Sequence, residues 1–307
     1  MEVIRDGGSA PLPLRGGAVA IGNFDGVHLG HQAVIGAAVR WARARGKPAL
    51  VATFDPHPSR HFRPDAPPFQ LTSLEQKLRH FAALGVDGVT VIPFTAALAA
   101  LAPEDFVDDW LVARLAPGHL VTGADFSFGH RRLGTTATLA ALGAARGFST
   151  EALGAVEAEG APVSSTRVRA ALAQGDTGLA TRLLTRPFAI AGPVIHGDKR
   201  GRTIGVPTAN MEAGAYLRPR YGVYAVRVRL PDGRLASGVA NFGVRPMFQP
   251  PRELLETWIL DWEGDLYGRE LEVAFVAYLR EERRLEGLEA LRAQIAEDAA
   301  QARRALA

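Results

Sequence analysis

In the first part of the chain, short apolar runs alternate with longer stretches of three- and four-residue periodicity. AVAIG (18–22), PALVATF (48–54), GVTVI (88–92) and GHLVT (118–122) are apolar segments of strand length, the pattern of strands buried on both faces. After the first run, Leu29, Ala33, Val34, Ala37, Ala38 and Trp41 recur at helical spacing, while Arg40, Arg43 and Arg45 fall off that stripe. This predicts an amphipathic helix. A second helix is predicted over 72–84, with Thr72 as its cap and Glu75 three positions on, the spacing of a capping box. Repetition of strand, turn and helix predicts a doubly wound α/β domain with a parallel sheet, whose ligand site lies beyond the carboxyl ends of the strands.

The pattern changes at TRPFAIAGP (185–193), where a proline closes a helical stretch and alternation takes over. Val226, Val228 and Leu230 alternate with Ala225, Arg227 and Arg229, and a Pro-Asp-Gly turn precedes LASGVANFGV. LETWILDW and ELEVAFVAYL continue the period of two, so a small antiparallel β-barrel is predicted. From 286 to the end, Leu288, Leu291, Ile295, Ala299, Ala302 and Leu306 share one face of a C-terminal helix expected to cover the barrel. The expected domains are therefore 1–186, α/β, and 187–307, the barrel with its helix.

Composition adds constraints. The 307 residues are 47% hydrophobic, enough to give each domain a core. With no cysteine, disulfides, a thiolate zinc site and a cysteine nucleophile are excluded, which leaves His, acids, hydroxyls, backbone amides and a hard metal. The opening MEVIRDGGSAPLPLRGG lacks the apolar core of a signal peptide, and no apolar run is long enough to span a bilayer. The expectation is a cytoplasmic protein with no membrane partner. A formal charge of +3 and a pI near 9.5 suit nucleotide phosphates. The basic residues form no tail or aromatic-laced stripe, so no nucleic acid partner is expected.

GNFDGVHLGH (22–31) falls where the first strand ends and the first helix begins, a place where free amides and the helix dipole attract phosphate. His28 and His31, three apart in one helical turn, could donate to phosphate oxygens; alone, such a pair reads equally as surface or capping histidines, or half a metal site. SSTRVR (164–169) offers a second anion cradle, with Ser164, Ser165 and Thr166 as caps and Arg167 and Arg169 as charge; by itself it reads as an ordinary capped helix. GHRRLGTT (129–136) has the glycine spacing of a P-loop but lacks its lysine, and the P-loop reading fails. In HGDKRGRTIGVPTAN (196–210), Gly197, Gly201 and Gly205 with Lys199, Arg200 and Arg202 suit a flexible cover over phosphates. Thr208 and Asn210, on one side of an extended segment, offer a hydroxyl and an amide oxygen to magnesium.

Together GNFDGVHLGH and SSTRVR resemble the signatures of the class I nucleotidyltransferases. TFDPHP (53–58), LTSLEQK (71–77) and TGADFSFGHRRLG (122–134) narrow this to the adenylyltransferase module of bacterial bifunctional riboflavin kinase/FAD synthetases, whose kinase signature the glycine-basic loop and PTAN resemble. The resemblance covers nearly the whole chain. It implies riboflavin, FMN, FAD and ATP/ADP as substrates and products, and Mg2+ in both sites. By it, Gly22, Asn23, Phe24, Asp25, His28 and His31 contact ATP, and Ser164, Thr166 and Arg167 hold its phosphates; Asp125 is ambiguous between ligand contact and loop anchoring, as is His57. It also makes Gly197, Lys199, Gly201, Arg202, Gly205, Thr208 and Asn210 the nucleotide site of the kinase and Glu256, in LLETWILDW, its catalytic base. Candidates for the isoalloxazine pocket are Pro56, His57, Pro58, Phe62, Phe106 and Phe128, because a flat apolar ring gains most from aromatic and proline surfaces; the alternative for the three Phe is core packing, and Phe106 reads equally either way.

The chain departs from the family pattern at Met247, after Arg245 and Pro246, at Trp258, and in FQPPREL (248–254), which puts the kinase's flavin contacts in doubt. Two other readings remain at this point: a nucleotidyltransferase for another phosphate ester, and a non-enzymatic flavin-binding protein on an inherited fold.

Overall fold

The computed structural model describes residues 1–197, 205–245, 252–283 and 286–307, which form two compact units: Met1–Pro67 with Leu74–Ser164, and Pro68–Ser73 with Ser165–Ala307.

The first unit is built on six strands, β1 (Glu2–Ile4), β2 (Ala18–Ile21), β3 (Ala49–Asp55), β4 (Gly88–Pro93), β5 (His119–Gly123) and β6 (Ser149–Leu153). They lie in the order β1-β4-β3-β2-β5-β6, and every pairing is parallel. The unbroken apolar runs have a simple cause: successive residues of each strand enter different cores. Val19, Ile21, Leu50, Ala52 and Leu120 face one layer with Leu111 and Leu139. Ala18, Ala20, Ala49, Val51 and Val121 face the other, which receives Val34 and Ala38 from the helix Leu29–Arg43 and Phe81 from the helix Leu74–Ala83. The second of these helices starts two residues later than its predicted Thr72 cap. The edge strands β1 and β6 carry no apolar run, and neither is visible in the sequence pattern. After β6 a short hairpin, β7 (Glu157–Ala158) and β8 (Ala161–Pro162), precedes the unit's end.

From β2 the chain winds through β3 to β4 on one side, then crosses to β5 and β6 on the other. The crevice of such a sheet opens where the winding reverses, at the carboxyl ends of β2 and β5.

The second unit begins with the helices Ser165–Gln174 and Thr177–Leu184. Six strands follow: β9 (Phe188–Pro193), β10 (Ala209–Met211), β11 (Gly222–Arg229), β12 (Leu235–Arg245), β13 (Arg252–Ile259) and β14 (Glu270–Arg280). They pair antiparallel in the order β10-β13-β12-β11-β14-β9. The Ile195–Asn210 bridge, with Ile195 N–H donating to the Asn210 carbonyl at 2.8 Å, joins the two ends and curls the sheet into the expected barrel. Alternation fixes which side is inside. Met211, Leu255 and Phe242 lie across from one another on the inner face, with Tyr224, Val226 and Phe275.

Ala225, Val239 and Ala277 point outward, where Ala302 and Leu306 of the terminal helix Gly287–Leu306 cover them. The covering face differs from the expected one at its start: Leu288 is 49% exposed, whereas Gln294 and Asp298 are buried. The buried carboxylate is compensated by Arg280, whose Nε and Nη2 donate to Asp298 at 2.8 and 2.7 Å, and by Gln294 at 2.7 Å. Segment 68–73 joins this unit through a Gln70–Tyr216 bridge and through Phe69, whose carbonyl accepts from Arg169 at 2.8 Å.

Candidate active sites

In the first unit, Gly22 to His31 leaves β2 at the winding reversal and enters the helix Leu29–Arg43. Phe24, Gly26 and Val27 all have positive φ, 50°, 86° and 42°. A bulky Phe and a β-branched Val rarely adopt that region, so the surroundings must hold the turn. Phe24 is buried against Phe81 and the edge of His31, and Thr53 Oγ1 donates to the Asn23 carbonyl at 3.2 Å. Asp25 is 3% exposed.

His28 is the helix N-cap: its Nδ1 accepts from the His31 backbone N–H at 3.4 Å. That bond makes Nδ1 the acceptor, which in a neutral ring places the proton on Nε2. The two imidazoles stack, with centroids 3.6 Å apart and planes 19° from parallel. Gly30 makes room for them, since a Cβ there would sit 3.2 Å from His28 Cε1.

Lys77 is a residue the sequence reading passed over. It is 5% exposed, and its Nζ reaches the carbonyls of Asn23 and Phe54 at 3.4 and 3.5 Å. Burial pushes its pKa down, while Asp25, Asp55 and Glu75 act the other way. The signal was available: Leu74, Lys77, Leu78 and Phe81 form one helical stripe, and a lysine inside it has to be paired.

The predicted flavin residues divide. Pro56, His57 and Pro58 follow β3, with His57 capping the short helix Pro58–Phe62 by accepting from Ser59 N–H at 3.1 Å. Phe62 is 65% exposed and packs edge-on against Phe94, 5.7 Å between centroids. Phe106 and Phe128, in contrast, are buried in the core, 5.5 Å apart. Phe126, not singled out in the sequence, is half-buried and stacks on Phe128 at 5.7 Å. Asp125 is exposed just past the carboxyl end of β5. The false P-loop is a loop pinched at its base by paired Phe128–Gly134 backbone bonds of 3.0 and 2.9 Å, a structure unrelated to a phosphate cradle followed by lysine.

SSTRVR opens a helix as expected: Ser165–Gln174, the start of the second unit's main segment, with Thr166 and Arg167 in its first turn; Ser164, just before it, is the last residue of the first unit. The barrel supplies the other constellation. Asn210 of β10, Glu256 of β13 and Asn241 of β12 are register partners, a row on the outward face of three adjacent strands. Asn210 is 5% exposed, and its Nδ2 donates to the Thr208 carbonyl at 3.3 Å, which leaves Oδ1 to accept or to ligate. Asn241 Oδ1 is buried with no hydrogen-bond partner among the described residues.

Glu256 is held by Arg245: Nε and Nη2 both donate to its Oε2, at 2.9 and 2.6 Å. Arg245 Nη1 also reaches Glu282 at 2.7 Å. Burial lowers the Arg245 pKa, but hydrogen bonds and charge from Glu256 and Glu282 outweigh it and hold the guanidinium above its ordinary value. A cavity of about 450 Å³ adjoins, lined by Thr208, Thr257, Trp262, Asp265, Leu266 and Tyr267 among others.

Gly205 has a φ of 81°. Lys199, Gly201, Arg202 and Met247 lie outside the described residues. Gly197 is fitted against Asn210: an added Cβ would fall 2.5 Å from Nδ2 and 2.8 Å from Cγ. Gly197→Ala should therefore displace that amide and cut the turnover this site supports about a hundredfold, the cost of a misplacement near 1 Å. Comparing kcat of the variant and parent checks it.

A parallel sheet with a histidine-capped turn at its switch point, and a barrel with an Asn–Glu row, match the architecture of a two-unit, nucleotide-dependent transferase. The family described as FAD synthetase matches residues 12–167, and that described as riboflavin kinase matches 184–306. The bifunctional riboflavin kinase/FMN adenylyltransferase of Escherichia coli strain K12 is 42% identical over 95% of this chain and 93% of its own. The relative of the same description from Pseudomonas fluorescens is 45% identical over 94% and 93%. The chain belongs to the bifunctional riboflavin kinase/FMN adenylyltransferase family. A solved structure described as a macrolide-efflux protein from Streptococcus pneumoniae matches with a TM-score of 0.88 at 27% identity over 99% of both chains. The likeness is one of fold, and no helix among the described residues is long and apolar enough to cross a membrane.

Proposed function

We propose that this chain phosphorylates riboflavin to FMN and then transfers AMP from ATP to FMN, giving FAD and pyrophosphate. ATP is the co-substrate of both steps. The observation that carries the reading is Glu256 in lateral register with Asn210 of PTAN, in a chain that also carries the stacked histidine pair at its switch point. Function is divided at 186/187: 1–186 serve adenylyl transfer and 187–307 the kinase. On this reading the chain acts in the cytoplasm.

In the kinase, Glu256 takes the proton of the terminal ribityl hydroxyl as that oxygen attacks the γ-phosphorus of ATP and ADP leaves. Oε1 is the accepting atom, because Arg245 occupies Oε2. Thr208 and Asn210 fit magnesium: the orientation of the Asn210 amide exposes an oxygen, and Mg2+ bound with a nucleotide asks few ligands of the protein. When bound, it neutralises charge on the transferring phosphates. Gly197, Lys199, Gly201, Arg202 and Gly205 cover the nucleotide.

In adenylyl transfer, a phosphate oxygen of FMN attacks the α-phosphorus of ATP, and pyrophosphate departs. No protein nucleophile is needed. His28 and His31 donate to the charge that grows on the phosphates, and backbone amides of Gly22 to Asp25 add to that field. Lys77 holds the turn from behind. Ser164, Thr166 and Arg167 hold the leaving phosphates. Of the predicted flavin contacts, Phe62 offers the most open aromatic surface.

The test is purified protein incubated with riboflavin, ATP and magnesium, followed by separation of the flavins. FMN should rise first and FAD after it; no conversion overturns the reading.

A further inference from the structure

The kinase base of the reading above is a single carboxylate on a strand, and a carboxylate on a flexible side chain has no reason to stay where it is needed. Among the described residues, what fixes Glu256 is Arg245. Their strands pair closely, Arg245 at the end of β12 opposite Arg252 and Glu256 four residues into β13. Two N–H groups of the guanidinium converge on one oxygen, Oε2, at 2.9 and 2.6 Å. No described residue donates to Oε1, and the Glu256 side chain is 30% exposed. Among the described residues the carboxylate is thus anchored through one oxygen only.

The anchor is itself anchored. Arg245 has a 13% exposed side chain, and its third donor, Nη1, reaches Glu282 at 2.7 Å from beyond β14. The backbone is shaped to admit this contact. Gly243, two residues before Arg245 on the same strand, faces Glu282 so closely that a Cβ there would fall within 2.6 Å of its carboxylate carbon. Only glycine leaves Glu282 its place. The planar fork of arginine can hold two carboxylates in fixed directions, whereas a lysine ammonium can supply the charge without the directions.

We propose that Arg245, braced by Glu282 across Gly243, is a positioning residue for phosphoryl transfer: it pins Glu256 through Oε2 so that Oε1 meets the substrate hydroxyl. This rests on Glu256 being the base. Arg245 touches neither nucleotide nor flavin in this role. Its loss should lower kcat and leave binding alone.

The experiment measures FMN formation by full-length Arg245→Met, Arg245→Lys, Glu256→Gln and the Arg245→Met/Glu256→Gln double variant, with thermal melting of each as the check on folding. Arg245→Met should lower kcat about a hundredfold, the cost of a misplaced catalytic group, with KM for riboflavin and for ATP within about threefold. Arg245→Lys should lose about tenfold, since charge survives and the fork does not. The double variant should be no slower than Glu256→Gln alone, because a group acting only through Glu256 has nothing left to position.

A loss carried by KM with kcat intact would make Arg245 a binding residue and overturn the proposal. So would additive losses in the double variant, or unchanged kcat in Arg245→Lys and Arg245→Met. Should Arg245→Met melt below the assay temperature, the lysine variant and its double with Glu256→Gln decide the matter alone. The two layers separate cleanly: a fully active Glu256→Gln removes the base assignment, while an inactive Glu256→Gln beside fully active Arg245 variants removes only the positioning role.

Discussion

Glu256→Gln should lower the rate of FMN formation about a thousandfold, within the range that general base catalysis supplies, while conversion of added FMN to FAD stays within about twofold of the parent rate. The amide keeps the shape of the side chain and can still accept at its oxygen, but it cannot take a proton. Its partner Arg245 then faces a neutral group, with Glu282 still there to compensate its charge, so the strand pairing at β12 and β13 should survive. The measurement is initial rates of each half-reaction, riboflavin to FMN and FMN to FAD, on the same preparation. Loss of both from this change would mean that the two activities share a centre.

The mirror experiment replaces both histidines, His28→Asn with His31→Asn. FMN adenylylation should fall about a thousandfold or more, because each donor aimed at developing phosphate charge is worth about two to three orders of magnitude. Asn at position 28 can still cap the helix, so the loss falls on the imidazole's other nitrogen rather than on the cap. The rings also stack on each other, and His31 meets Phe24 edge-on. Part of the loss will therefore come from a looser turn, and single variants should show less than additive effects. FMN should accumulate when riboflavin is the starting flavin. FAD formation at the parent rate would remove the histidines from the chemistry.

Much of the molecule was legible because its signals are local. The interior strands β2 to β5 are buried on both faces and announce themselves as apolar runs; β1, with three residues, and β6, with exposed positions at Ser149, Glu151 and Ala152, have nothing to announce. Phosphate-binding turns are likewise written locally, since the chain must supply glycines, a capping side chain and a helix start within about ten residues. His28 and Gly197 are candidates of that kind. For Lys77 the stripe signals burial, but not its partners, the Asn23 and Phe54 carbonyls, which come from the ends of β2 and β3. Phe106 and Phe128 illustrate the reverse: an aromatic residue near a site motif looks the same in sequence whether it faces a ligand or the core, and burial decides.

By itself the sequence determined the two architectures, because periodicity, capping and turn chemistry act over one element at a time; the candidate phosphate turns are local motifs too, while the acid in β13 is what the family resemblance implies. Only the tertiary structure decided that Ile195 would bridge Asn210 and curl the sheet, that Asn210, Glu256 and Asn241 would share a row, and that Arg245 would grip Glu256 with Glu282 behind it. Each of these depends on strand register, and register is set by how whole faces pack: a slip of one residue would turn every side chain in the row to the opposite side.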